Sequence, residues 1–311
     1  MKVLIVGGHG FVGRRTAAKL NEPGIELVIR SRRDGLDLTD LDCAKEQLAQ
    51  IMPDAIINCA AHVGSLHYVS KFAADVFGDN VIMALNLYKA VHDICPDTRI
   101  VNPLSNCSYP GDADMQTEDE WWNGEVHKSV CSYGNAKRFI YVTSQCYALQ
   151  YGQKTVNILV PNTFGPGDYT DPNRTHALNG MIIRMLQAHK QNQPEFEIWG
   201  TGAPVREWGY IDDVAEILKL GLTVEQDMTY PVNMAQNHGY SIKESAEKIA
   251  EAIGYNGKLV FNANYQDGAP RKVLDDKRFR ELFPDFKFTD HTEGIYNTVR
   301  YYETVLEGEI L

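Results

Sequence analysis

The chain has 311 residues, 44% of them hydrophobic and 23% charged, a globular composition with enough apolar material for one large or two medium domains. Its net charge of −11 excludes a nucleic-acid-coating surface and a polybasic membrane face, so any anionic ligand must be held by a few local Arg, Lys and backbone N–H groups. No run approaches ~18 apolar residues, and the opening MKVLIVGG is too short for a signal-peptide core, which predicts a cytoplasmic protein with no membrane partner and no nucleic acid. Six cysteines (Cys43, Cys59, Cys95, Cys107, Cys131, Cys146) without a CxxC pair fit reduced thiols better than disulfides or a metal site.

In chain order, short β-branched runs alternate with longer stretches of helical spacing. The runs are KVLIV (2–6), ELVIR (26–30), AIIN (55–58), RIVN (99–102) and VNILV (156–160); the helical stretches include 71–93 and 134–151. That alternation implies parallel pairing with right-handed crossovers. After about residue 168 the pattern loosens into a Pro/Asp/Asn-rich loop, a helix over 176–190, the run FEIW (196–199), a helix near 211–222, a helix after Ser241, the run KLVF (258–261) and two closing helices. The expected architecture is α/β. A Rossmann-type doubly wound parallel sheet occupies 1–168, and a smaller mixed α/β substrate-binding lobe occupies 169–311, with about 205–235 returning to the first domain. Ser241 with Glu244 reads as a capping box, and Asp212 and Asp213 of YIDDVA read as caps of the next helix.

The first run ends in GGHGFVG, where Gly7, Gly10 and Gly13 recur at threes and Gly8-x-Gly10-x-x-Gly13 meets the dinucleotide fingerprint between a strand and a helix. Glycines there let a pyrophosphate approach the backbone and the free N–H groups of the helix start. The second run ends in Arg30, with Arg32 and Arg33 close behind, where an NAD site would place a carboxylate for the ribose; guanidinium groups suit a 2′-phosphate and point to NADP(H). Asp37 is an acceptor for the adenine amino group, with Leu38 as an apolar wall.

SYGNAK places Tyr133 and Lys137 one helical turn apart on one face. A phenol with a pKa near ~10 is a poor proton-transfer group at neutral pH, and a neighbouring ammonium is expected to lower it. The fourth run leads to NPLSNCSYP. Ser105 would polarise the carbonyl that Tyr133 protonates. On an extended chain Cys107 would lie on the same side as Ser105, with Asn106 turned away.

These residues resemble the extended short-chain dehydrogenase/reductase superfamily, and within it the GDP-L-fucose synthase group. The likeness runs over nearly the whole chain through NCAAHVGSLH, SNCSYP, YGNAK, VPNTFGPGD, THALNGMIIR, WGTGAPVREWGYIDDVA and APRKVLDDKR. It implies that Ser105, Tyr133 and Lys137 serve NADPH-dependent reduction of a GDP-linked 4-keto sugar, and that Cys107 and His176 are the base and acid that epimerise C3 and C5. It also implies Phe11, Val12 and Ala60 at the cofactor, Asn162, Arg184, Trp199, Arg206 and Lys272 at the nucleotide-sugar, and a homodimer built on 71–93 and 134–151.

Departures from the group bear on the substrate. His9 stands where an arginine is usual in the glycine turn, His62 and Ser65 replace Lys and Gly in a loop lining the sugar pocket, and the insert 118–134 brings Trp121, Trp122 and His127 beside the site. They leave open a GDP-4-keto-heptose C4-reductase without epimerisation. SNCSYP lacks the Asp-Glu pair of a 4,6-dehydratase, and the arginines after the second run disfavour a UDP-sugar 4-epimerase. From another class, a catalytically inactive NADP(H)-sensing protein would have no need of Ser105, Tyr133 and Lys137 together.

Overall fold

The computed structural model describes residues 1–226, 228–265 and 267–308. The first strand, β1 (Lys2–Val6), is apolar throughout its buried stretch from Val3, as a strand covered on both faces must be. Each following strand returns parallel after a helical crossover: α1 (Phe11–Leu20), β2 (Glu26–Arg30), α2 (Leu41–Ile51), β3 (Ala55–Asn58), α3 (Leu66–Lys71), α4 (Ala73–Ile94), β4 (Arg99–Ser105), α5 (Cys131–Tyr151) and β5 (Thr155–Val160).

The remainder comprises β6 (Asn162–Phe164), α6 (Ala177–Lys190), β7 (Glu195–Trp199), β8 (Val205–Arg206), β9 (Trp208–Tyr210), α7 (Ile211–Leu220) and β10 (Met228–Asn233). It continues with β11 (Tyr240–Ser241), α8 (Ile242–Ile253), β12 (Lys258–Asn262), β13 (Arg271–Lys272), α9 (Lys277–Leu282) and α10 (His291–Gly308). The main sheet runs β10-β5-β4-β3-β1-β2, a Rossmann-like arrangement whose order reverses beside β1. Ligands of open α/β sheets lie at such a reversal, outside the carboxyl ends of the strands.

An asparagine ladder fixes the register of the central strands. Asn58 Nδ2 donates to Asn102 Oδ1 at 3.1 Å, and Asn102 Nδ2 donates to Asn157 Oδ1 at 3.0 Å and to the Tyr88 hydroxyl at 2.7 Å. A one-residue slip would leave these buried amides without partners, so the ladder sets the height at which Ser105 leaves the sheet.

A second core joins α6, α8 and α10 through Leu178, Ile182, Ile249, Ile295 and Val299. Beside it β8 lies between β11 and β13, β7 pairs with β12, and β6 pairs with β9. The capping box at Ser241 and Glu244 forms as expected.

Two local readings are corrected. Asp212 and Asp213 do not cap α7, whose first residue follows Tyr210 with no side-chain cap. They lie inside the first turn, where Asp212 receives both Nε and Nη2 of Arg15 from α1, and Asp213 accepts from the Thr289 N–H and hydroxyl at 2.8 Å each. Second, β4 runs three residues past Asn102. Pro103 lacks a ladder donor, yet the strand continues through it in register with Ile158.

Candidate active site

Three groups of side chains gather at the carboxyl ends of the strands. The first is the glycine turn. Gly10 is the N-cap of α1 in extended conformation with no side-chain cap, and Arg14 is the first residue to donate back to the Gly10 carbonyl, so the N–H groups of Phe11, Val12 and Gly13 have no partner within the helix. A Cβ on Gly13 would stand 2.5 Å from the Gly7 carbonyl oxygen, and one on Gly7, at φ +69°, would stand 2.6 Å from the Ala60 backbone. This bare cradle fits a pyrophosphate.

At the end of β2, Arg32 Nε pairs with Asp37 at 3.0 Å, Arg30 donates to the Ile29 carbonyl at 2.9 Å, and Arg33 is exposed. Asp37 also accepts from the Thr39 N–H and hydroxyl, and these bonds with the Arg32 charge hold its carboxyl below the usual range despite some burial. Leu38 packs in the core with Leu36. His9 pairs with Asp34 at 2.8 Å, an acid that also accepts from Ser31. The donors at this strand end, a cluster of guanidinium groups, fit a phosphorylated ribose.

The second group forms where β4 meets α5. Ser105 closes the strand and caps a single 3-10 turn, Asn106–Ser108; its Oγ accepts from the Cys107 N–H at 3.2 Å. The extended-chain argument for Cys107 is therefore corrected. The turn brings Cys107 around beside Ser105, and Asn106, expected to point away, is buried. Behind the turn, Ser108 Oγ donates to the Ser105 carbonyl and accepts from Trp121 Nε1 at 2.9 Å, while Arg138 donates to the Ser108, Trp121 and Gly124 carbonyls.

Lys137 Nζ donates to the Pro103 carbonyl at 2.8 Å and stands 5.5 Å from the centre of the Tyr133 ring. The electrostatics run opposite to expectation. Burial pushes the Lys137 ammonium down to about 8, and burial together with Cys107 pushes the Tyr133 phenol up, so the enclosure outweighs the ammonium. Burial also raises the Cys107 thiol, but the Lys272 charge, hydrogen bonds with Ser105 and Lys272, and the Arg206 charge bring it below the ordinary thiol value. Lys272, expected at a diphosphate, has its Nζ 3.3 Å from Cys107 Sγ. Arg206, its register partner on β8, is half-buried and donates to the Val205 carbonyl.

The third group surrounds the start of α6. His176 is the N-cap residue, and its ring lies 5.3 Å from that of Phe11 in the glycine turn. Asp168, whose side chain is fully buried, receives the His176 N–H at 2.7 Å, His176 Nδ1 at 3.0 Å and the Asn179 amide at 2.9 Å. Further along, the Arg184 guanidinium stands 4.5 Å from the Trp199 ring, which stacks on Tyr265 at 5.1 Å. Asn162 Nδ2 approaches the Glu207 carbonyl at 3.4 Å.

Sequence reasoning overlooked Asp168, although an acid closing a Gly-Pro-Gly turn shortly before the histidine was a usable signal. It had no signal for Tyr265, which meets Trp199 across 66 positions of chain, nor for the contact between Lys272 and Cys107. The insert is reassigned as well. Trp121 is a core residue against Tyr141 and Trp122 lies under Arg138, so both back the turn after Ser105; of the three only His127 comes under the influence of Lys272 and Arg206. His62 spends both ring nitrogens inside the protein, on Asp79 at 2.8 Å and Tyr68 at 2.9 Å, and Ser65 caps α3.

A nucleotide-shaped cradle, a Ser/Tyr/Lys cluster and a thiol on one Rossmann-like frame define a nucleotide-dependent enzyme of the short-chain dehydrogenase/reductase kind. The chain belongs to the NAD dependent epimerase/dehydratase family, whose pattern it matches over residues 3–234. It is 31% identical to the GDP-L-fucose synthase of Escherichia coli over 90% of both chains, and 30% identical to a probable GDP-L-fucose synthase of Drosophila melanogaster over 97% of both. The crystal structure of a GDP-L-fucose synthetase from Naegleria fowleri bound to NADP superimposes with a TM-score of 0.87 at 26% identity, covering 98% of this chain and 95% of that one.

Proposed function

We propose that the protein is an NADPH-dependent nucleotide-sugar epimerase/reductase acting on a GDP-linked 4-keto sugar of the GDP-4-keto-6-deoxymannose kind. The observation that carries the reading is the capped turn at Ser105, which sets the Cys107 thiol beside the residues of a reductase. The likeness to GDP-L-fucose synthases over 90% or more of their length supports the substrate class.

Gly7, Gly10, Phe11, Val12, Gly13 and Ala60 would hold the pyrophosphate side of NADP(H), Arg30, Arg32 and Arg33 its 2′-phosphate, and Asp37 and Leu38 its adenine. When bound, the nicotinamide supplies the reducing equivalent delivered to C4. Ser105 donates a hydrogen bond to the ketone oxygen, and Tyr133 gives that oxygen its proton. A phenol whose pKa is raised by burial keeps that proton until it is needed, which suits a reductase better than a phenolate would. Lys137, anchored on the Pro103 carbonyl, stands behind Tyr133.

The ketone acidifies the protons on C3 and C5. Cys107 removes one, the C–H electron pair passes to the ketone oxygen as an enediolate, and His176 returns a proton to the opposite face. Asp168 holds His176 Nδ1, which leaves Nε2 for the substrate. Arg206 grips the diphosphate, and the platform of the exposed Trp199 and Tyr265 rings with the half-buried Arg184 receives the base, with Asn162 near the sugar.

Two further readings accompany this one. Phe77 and Leu85 on α4 and Val142 and Leu149 on α5 are exposed apolar side chains on helices that pack together, and a second copy of the chain covers them in a homodimer. The protein acts in the cytoplasm, where its six unpaired cysteines stay reduced. Among the described residues no helix is long and apolar enough to cross a membrane.

The substrate assignment is tested by following nicotinamide absorbance with GDP-4-keto-6-deoxymannose, a UDP-linked 4-keto sugar and a GDP-4-keto-heptose. NADPH oxidation with the first supports it; oxidation confined to the heptose leaves a C4-reductase.

A further inference from the structure

Lys272 is an ammonium in an unusual position. It is 8% exposed, and among the described residues it forms no ion pair with a carboxylate; its hydrogen-bonding partner is the sulfur of Cys107 at 3.3 Å. A buried cation without an anion is costly, and the pair is far better balanced when the sulfur carries the charge.

The position is also built. Lys272 lies in register with Arg206 on the β8–β13 pair, its carbonyl accepts from the Glu207 N–H at 2.8 Å, and the Glu207 carboxylate holds the Leu274 N–H two residues on, at 2.8 Å. The charged and titratable groups that face Cys107 are Lys272 from β13, Arg206 from β8, and Tyr133 and Lys137 from α5, with the Ser105 hydroxyl from β4. His127 lies close enough to Lys272 and Arg206 to feel their charge. Among the described residues no carboxylate pairs with Lys272 or Cys107; Asp267 acts by its charge on Arg206.

We infer that Lys272 is the counter-ion of a Cys107 thiolate, a positioning residue that readies the base for proton abstraction before substrate arrives. The inference rests on the proposed epimerase chemistry for its purpose, but its content is a property of the free protein. Substrate binding then brings a C–H bond to a sulfur that is already charged; the proton passes to the sulfur, and the resulting thiol remains hydrogen-bonded within the same cluster. Arg206 stays available for the diphosphate.

The test is an ultraviolet thiolate titration of the full-length protein without substrate, read as the difference from a Cys107→Ser protein. The wild type should show a thiolate step below the ordinary thiol range. Lys272→Met and Lys272→Gln should move that step up by about one pH unit or more, and Lys272→Arg should restore it. Either neutral variant suffices if the other does not fold. An unchanged step in the neutral variants, with the loss appearing only as weaker binding of GDP, would overturn the inference and leave Lys272 as a diphosphate ligand. Because no sugar is present, this outcome is separate from any failure of the substrate assignment: a depressed thiol in a protein that turns over no GDP-sugar would overturn that assignment alone.

Discussion

Asp168 receives both the backbone N–H and the ring Nδ1 of His176 on one carboxylate oxygen, at 2.7 and 3.0 Å. Burial would raise this carboxyl, but its bonds and charge interaction with His176, and its bond from Asn179, hold it below the usual range. Asp168 is therefore ionised at working pH; it orients the His176 ring through Nδ1–H and, on the proposed reading, balances the charge of the ring when Nε2–H is the acid. Replacing Asp168 with Asn should cut the rate of deuterium exchange at the epimerised carbons by about tenfold or more, while the KM for NADPH stays within about twofold. Equal exchange rates in variant and wild type would remove Asp168 from the acid's machinery.

Arg32 is mostly exposed and is held by Asp37 at the end of β2. Arg32→Ala should raise the KM for NADPH by about tenfold and leave that for NADH nearly unchanged, since a guanidinium–phosphate contact is worth on the order of 1.5–3 kcal/mol. Initial rates with both cofactors measure the difference. Parallel losses with both would place the 2′-phosphate elsewhere.

Trp121 is fully buried against Tyr109 and Tyr141, and its Nε1 holds Ser108 behind the turn that Ser105 caps. Trp121→Ala should cost about 3–5 kcal/mol in urea unfolding, whereas Trp121→Phe should lose mainly the hydrogen bond and part of the packing. The second variant should fold and yet have slowed turnover, because Ser108 in turn holds the Ser105 carbonyl.

His291 gives the fold a defined acid sensitivity. It is buried between Phe164 and Tyr240, neither ring nitrogen has a hydrogen-bond partner among the described residues, and burial pushes its pKa down to about 4. Its folded pKa lies below its unfolded value, so stability is lost as pH falls from about 6.5 to about 4, by on the order of 2 kcal/mol near pH 5. Melting curves of His291→Phe should be flatter than the wild type across that window. Parallel pH dependences would show that His291 is not the group responsible.

The strands that the sequence announces are those whose apolar runs are unbroken. KVLIV and AIIN form strands with those bounds because burial on both faces admits little else, whereas ELVIR, half-buried at the sheet edge, keeps its bounds through in-register pairing with β1. The sixth strand, β10, was hidden by Pro231, which sits where the ladder shifts register against β5. The site was legible where its residues lie close in sequence, as with Ser105 and Cys107 or Tyr133 and Lys137. It was not legible where the partner comes from afar. Lys272 meets Cys107 across 165 positions, through a two-residue strand pair that no local periodicity marks. Nor could spacing reveal that burial would outweigh the ammonium at Tyr133, since that depends on what encloses the ring.

On the proposed reading one site both epimerises and reduces, with Cys107 serving only the first step. The most direct measurement is NMR of the sugar after incubation in D2O with NADPH and GDP-4-keto-6-deoxymannose, for the wild type and for Cys107→Ser. Deuterium at C3 and C5 and a reduced C4 are expected with the wild type. No exchange is expected with Cys107→Ser, which should still reduce a ketone supplied in the epimerised form. Undiminished exchange in Cys107→Ser would rule out Cys107 as the base.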